Sequence, residues 1–185
     1  MNKNINRKLI TAYGKLLEKE NEKISVTALC EKARVARASF YIYYSDLEEF
    51  QKKLSDYIVD KFFKQSVVII TCNDAELRTV TKKENLLFDS CELKILAHMI
   101  KGTNYIDFVL LAESYLVDES CEAVYTSEMR ERYKEDIDFF SRGYLPILID
   151  GLTDYEEARF RRDMKYCRGY FKSLYEYMQA DLAEK

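Results

Sequence analysis

One proline and five glycines in 185 residues leave this chain few places to turn. Glycine alone makes up about 7% of an ordinary globular sequence, and these two residue types are the main punctuation between elements. With Leu, Glu, Lys, Ala and Tyr filling the space between, the spacing predicts an all-α protein of about nine helices. Hydrophobic residues at 48% and charged residues at 33% supply both a core and a solvated surface. The length suits one sizeable core, or a medium domain carrying a small one.

Several function classes are disfavoured. No run approaches the ~18 consecutive apolar residues of a membrane span, and "MNKNINRKLI" has no apolar segment of the secretory kind. No membrane partner is expected. Cys30, Cys72, Cys91, Cys121 and Cys167 are scattered singly without a CxxC pair. That fits reduced thiols and a cytoplasmic location better than a disulfide framework. His98 is the sole histidine and has no second ligand at a metal-binding spacing, so neither a metal site nor a cofactor is expected. No phosphate loop or nucleophile–base constellation is present, no catalytic residue is assigned, and the chain is not read as an enzyme.

Charge is distributed unevenly. Residues 1–55 carry 11 Lys and Arg against 7 Asp and Glu, whereas the remainder carries 18 against 25. A basic N-terminal quarter on an acidic body points to an anionic partner for the small part alone.

Helical periodicity organises that quarter. Ile5, Leu9, Ala12, Tyr13, Leu16 and Leu17 recur at steps of three and four, predicting a helix over 4–20. Ser25 is a good N-cap for a two-turn helix whose inner face is Val26, Leu29, Cys30 and Ala33, with Ile24 closing over its start. After "RVA" a third short helix holds Arg37 to Tyr43, placing Phe40 and Tyr44 inward and Arg37, Ala38, Tyr41 and Ile42 outward. Ser45 or Asp46 caps the next helix, in which Leu47, Phe50, Leu54, Tyr57, Ile58 and Phe62 lead to about residue 65. "VVIITCND" is read as a helix end and turn. Further helices are expected at 84–101, 104–118, 120–149 and 153–182, with Gly151–Thr153 as a separator and Pro146 kinking or ending its helix.

Two short helices joined by a tight turn and packed on a first helix form a helix-turn-helix unit. In such a unit the last helix keeps one face for the small core and offers the other to DNA. Arg37, Ala38 and Ser39 are then the residues at base edges, and Tyr41 and Tyr43 offer hydroxyls to phosphates. For Arg37 a guanine contact and a phosphate contact remain equally open.

The stretch "ISVTALCEKARVARASFYIYYSDLEEF" resembles the DNA-binding segment of the TetR family of bacterial one-component repressors. Shared are the apolar residue before a Ser/Thr cap, the short helix, the tight turn, the "FY" pair with an aromatic three residues on, and the opening of a fourth helix. The likeness spans about 45 of the 185 residues. It implies a DNA-binding domain over 1–46 and a helical effector-binding and dimerisation domain over 47–185. It further implies a homodimer on a double-stranded DNA operator, released by a small-molecule effector. Thr27 would join Arg37, Ala38 and Ser39 in base reading; Ser25, Tyr41, Tyr43 and Lys3 or Lys8 would hold phosphates.

The same resemblance directs attention to the aromatic-rich body. Phe62, Phe88, His98, Met99, Tyr105, Phe108, Tyr115 and Phe140 are candidates for an effector pocket, against the plainer reading of ordinary core. His98, with Ile95, Leu96 and Met99 near it, reads as a hydrogen-bonded core histidine. Tyr170, Phe171, Leu174, Tyr177 and Met178 form a stripe that is either intramolecular core or a dimer seam.

Three positions depart from the family pattern. Arg34 stands where glycine is usual, and in a left-handed conformation a non-glycine costs about 1–2 kcal/mol; its guanidinium is in turn a candidate DNA contact, reaching a phosphate. Ala36 replaces a capping Ser, a loss of about 1 kcal/mol. Leu47 replaces a phosphate-holding Lys. These departures motivate a second reading, a helical ligand-binding or protein-interaction module whose DNA arm has weakened or been lost.

Overall fold

The computed structural model describes residues 3–18, 24–102 and 124–184. These form nine α-helices and one 3-10 turn, with no strand among the described residues. The helices are α1 (Lys3–Leu16), α2 (Val26–Ala33), α3 (Arg37–Tyr41), α4 (Leu47–Thr71), α5 (Asp74–Val80), α6 (Ser90–Gly102), α7 (Ser127–Arg132), α8 (Lys134–Thr153) and α9 (Glu157–Ala183), with the 3-10 turn at Lys83–Asn85. The all-α expectation is met, and no described helix is long and apolar enough to cross a membrane.

Two compact units divide the chain: Met1–Lys61 with Phe88–Gly102, and Phe62–Leu87 with Thr103–Lys185. This differs from a cut at residue 46. Phe50, Leu54 and Ile58 on the first half of α4 are buried in the first unit, so the helix cannot be divided at its N-terminus. Residues 88–102 also rejoin that unit, because α6 packs along α1. Gly14 permits the approach: a Cβ there would stand 2.8 Å from the Cys91 carbonyl oxygen.

The first unit is built around rings. Tyr13, Phe40, Tyr44 and Phe50 form a chain of edge and tilted contacts with centroids 5.1–6.0 Å apart. Leu9, Ala12, Leu16, Leu29, Cys30 and Ala33 complete this core as their spacing predicts, while Ile5, Leu17 and Val26 are half-buried. The Tyr44 hydroxyl donates to Asn6 Oδ1 at 2.9 Å, so the ring's polar end is satisfied.

In the second unit α8 and α9 pack against each other through Ile137, Phe140, Tyr144, Leu148, Phe160, Met164 and Phe171. Gly151 lies inside α8 with its α-carbon against the buried Phe160 ring, rather than acting as a separator; the break falls at Asp154–Glu156 instead. Pro146 is also accommodated within α8, which runs on to Thr153 because Leu145, Leu148, Ile149 and Leu152 bury its inner face on both sides of the ring. Arg168 ties α9 to the α4–α5 turn, donating to Asp74 Oδ1 at 2.7 Å and to the Cys72 carbonyl.

Other boundaries move as well. The 120–149 helix is divided at Tyr133 into α7 and α8, and the 84–101 helix begins only at Ser90, after the 3-10 turn. The helix α5 was not anticipated; Asn73 and Glu76 start it with a reciprocal capping box. The helix expected at 104–118 lies outside the described residues. Cys30, Cys72, Cys91 and Cys167 are free thiols, and burial raises the Cys167 thiol to about 11.

Candidate nucleic-acid interface

The interface candidate is assembled by α2, the turn after it, and α3. Ser25 caps α2, its Oγ accepting from the Ala28 amide at 3.2 Å, which leaves the hydroxyl proton free to donate outward. Thr27, two residues further on, is exposed. Arg34 closes the helix in the left-handed region, with φ 53 and ψ 49, the only non-glycine residue at positive φ among the described residues. Its amide donates to the Glu31 carbonyl at 3.1 Å and the Val35 amide to the Cys30 carbonyl at 3.0 Å, the paired bonds of a Schellman ending. The chain therefore makes a turn suited to glycine with an arginine.

Ala36 opens α3 from an extended conformation and provides no side-chain cap. The helix is five residues long, so its orientation is set by what it buries. Phe40 is fully buried and Tyr44 nearly so, and these two rings anchor it on Phe50 of α4. The opposite side carries Arg37, Ala38, Tyr41 and Ile42, all exposed, with Ile42 at 74%. Ser39 and Tyr43 are half-buried. The Tyr43 carbonyl accepts from Lys53 Nζ at 3.5 Å, while its ring is the one aromatic of the stretch in an intermediate environment.

The start of α4 is firmly made. Asp46 Oδ1 accepts from the Glu49 amide at 2.8 Å, and Glu49 Oε2 accepts from the Ser45 amide at 2.6 Å and from its hydroxyl at 2.8 Å. Lys53 Nζ lies 2.8 Å from Glu49 Oε1. The Lys53 hydrogen bond, followed by those from Ser45, lowers the Glu49 carboxyl to about 2. Leu47 is half-buried and brings no charge to this corner.

Of the sequence-predicted DNA residues, the structure gathers Arg34, Arg37, Ala38 and Tyr41 as exposed side chains on consecutive turns, with Ser39 and Tyr43 less accessible. The effector-pocket candidates are not gathered in one unit. Phe88, His98 and Met99 belong to the first, Phe62 and Phe140 to the second, and Tyr105, Phe108 and Tyr115 lie outside the described residues. His98 is exposed, not a core histidine. Its neighbours Ile95 and Leu96 are buried; Leu96 lies on the opposite side of α6, whereas Ile95 is one turn before His98 on the flank of the same side, and the burial stops short of His98.

The seam candidates also separate. Phe171 and Met178 are buried within the unit, Leu174 is half-buried, and Tyr170 and Tyr177 are exposed at 54% and 58%. Tyr166 is exposed at 74% one turn before Tyr170, and on α8 Phe139 and Ile147 are exposed, eight residues apart on one face with Gly143 between them. Sequence reasoning had missed Tyr166, Phe139 and Ile147. Their i, i+4, i+8 spacing was the available signal, hidden because each helix carries a second, fully buried apolar stripe.

The described structure defines an all-helical chain whose first unit holds a helix–turn–helix arrangement on an aromatic core. No family model matches the chain, no curated protein matches it, and no solved structure matches it.

Proposed function

We propose that this chain is a sequence-specific DNA-binding transcriptional regulator of the TetR type, a homodimeric repressor released by a small-molecule effector. The observation that carries the reading is the division of labour on α3: Phe40 and Tyr44 are spent on the core, whereas Arg37 and Ala38 at its start and Tyr41 at its end are exposed to solvent. A guanidinium in that place is suited to the paired acceptors of guanine in the major groove, and a tyrosine hydroxyl four residues on is suited to a phosphate. The excess of cations in residues 1–55 supports association with a polyanion.

Dimerisation is supported by the exposed side chains of Phe139 and Ile147 on α8 and of Tyr166, Tyr170 and Tyr177 on α9. Exposed aromatics in such rows are characteristic of surfaces covered by a partner. The effector rests on the resemblance alone.

The second reading, an interaction module with a weakened DNA arm, is favoured by one specific observation: Arg34 holds the strained turn position and Ala36 leaves α3 uncapped. Selection from a random duplex library with the full-length protein decides between the two. The regulator is expected to enrich a two-fold symmetric sequence. Recovery of no sequence preference at low salt would contradict it and leave the module.

A further inference from the structure

On the first unit, α1 and the end of α2 border an open, shallow groove of about 320 Å³. Arg7, Lys8, Thr11 and Lys15 line it from α1, and Lys32 from the last turn of α2. Four cations therefore face one small concavity, and none of the four forms an ion pair among the described residues. Of the four, Lys15 and Lys32 act on the Glu18 carboxylate, and it is already engaged by Lys94 on α6. Cations held together without a counter-charge repel one another, and a bound anion relieves that repulsion.

The lining also says which anion. Besides the cations and the Thr11 hydroxyl, the walls offer only Ala12 and Ala33, with no ring to stack a base and no slot for an acyl chain. Lysine ammonium groups bind phosphate oxygens as mobile point charges. At about 320 Å³ the groove lies at the small end of the ligand-site range, and its spread of four cations suits a compact anion with several charged oxygens. We infer that this groove is an anion site for adjacent phosphate groups, separate from the Arg37–Tyr41 face. Those phosphates come either from a free polyphosphate-bearing small molecule or from the backbone of bound DNA; only the second source rests on the function proposed above.

The test uses the full-length protein and two titrations at several salt concentrations. One is calorimetric, with inorganic tripolyphosphate; the other uses a duplex of scrambled sequence. Lys15→Gln with Lys32→Gln should weaken tripolyphosphate binding about twenty-fivefold, since each lost charge at contact distance in water is worth about fivefold. The charge-conserving Lys15→Arg with Lys32→Arg should restore it, and Arg37→Ala should leave it unchanged. If the duplex is the source, the double Gln variant instead lowers the salt slope by about two. Either change supports the site, and which titration moves identifies the source. Unaltered tripolyphosphate binding together with an unaltered salt slope overturns it. Because calorimetry needs no operator, failure to select a DNA sequence would leave this result standing.

Discussion

Lys61 Nζ on α4 lies 2.6 Å from Glu92 Oε2 on α6, and both side chains are largely withdrawn from water, at 17% and 7% exposure. The same carboxylate accepts from the Tyr57 hydroxyl at 2.7 Å and from the Asp89 amide at 2.8 Å. The last of these completes a capping box, since Asp89 Oδ1 accepts from the Glu92 amide at 2.9 Å. One carboxylate thus starts α6 and ties it to α4. Burial, followed by the Glu92 hydrogen bond, pushes the Tyr57 hydroxyl well above its ordinary value.

Removing Glu92 leaves a partly buried ammonium and a hydroxyl without their acceptor. Glu92→Ala should therefore cost about 3 kcal/mol in denaturant unfolding, the lower part of the range for breaking a buried pair. Lys61→Met should cost less, and the double variant no more than Glu92→Ala alone, because the two changes share one interaction. Strict additivity of the two losses would show that the pair is not coupled.

Arg34 offers a test with two readouts. Glycine meets the left-handed turn without a Cβ penalty, so Arg34→Gly should raise stability by about 1 kcal/mol after the extra freedom of the unfolded chain is counted. If the guanidinium also reaches a phosphate, the same substitution lowers the salt slope of DNA binding by about one. A stability gain with an unchanged slope would mean that the arginine makes no contribution to DNA binding; a stability loss would contradict the turn geometry itself.

Glu49 has a carboxyl lowered from its ordinary value of 4.5 to about 2, chiefly by Lys53 and then by Ser45. A group whose folded value is depressed stabilises the fold above its unfolded value and ceases to do so as pH falls through the folded one. Glu49→Gln should accordingly lower the urea midpoint at neutral pH. The gap from wild type should narrow below about pH 4.5 and close near pH 2. A gap independent of pH would remove the carboxylate from the account.

How far the sequence could be read followed how local each cause was. The α2–turn–α3 unit was legible because each determinant acts over no more than four residues: the Ser25 cap, the glycine-type position at Arg34, and the Phe40–Tyr44 spacing. Pro146 and Gly151 misled, since their effect depends on what crosses α8, and the Phe160 ring needs a residue without a side chain at that point. His98 misled because Ile95, one turn before it, is buried while His98 itself, at the edge of that stripe, is exposed. The groove of Arg7, Lys8, Lys15 and Lys32 was not visible, because Lys32 joins α1 only through the packing of Leu29 and Ala33.

The central claim is that the exposed side of α3 reads DNA, and Arg37 is the residue to measure. The selected duplex and a scrambled duplex of equal length should be titrated with wild-type protein and with Arg37→Ala at matched salt. The expected result is a loss of about 1–3 kcal/mol on the selected duplex and little change on the scrambled one, so that discrimination falls while non-specific binding remains. Equal affinities of wild type and Arg37→Ala for the selected duplex would contradict the account.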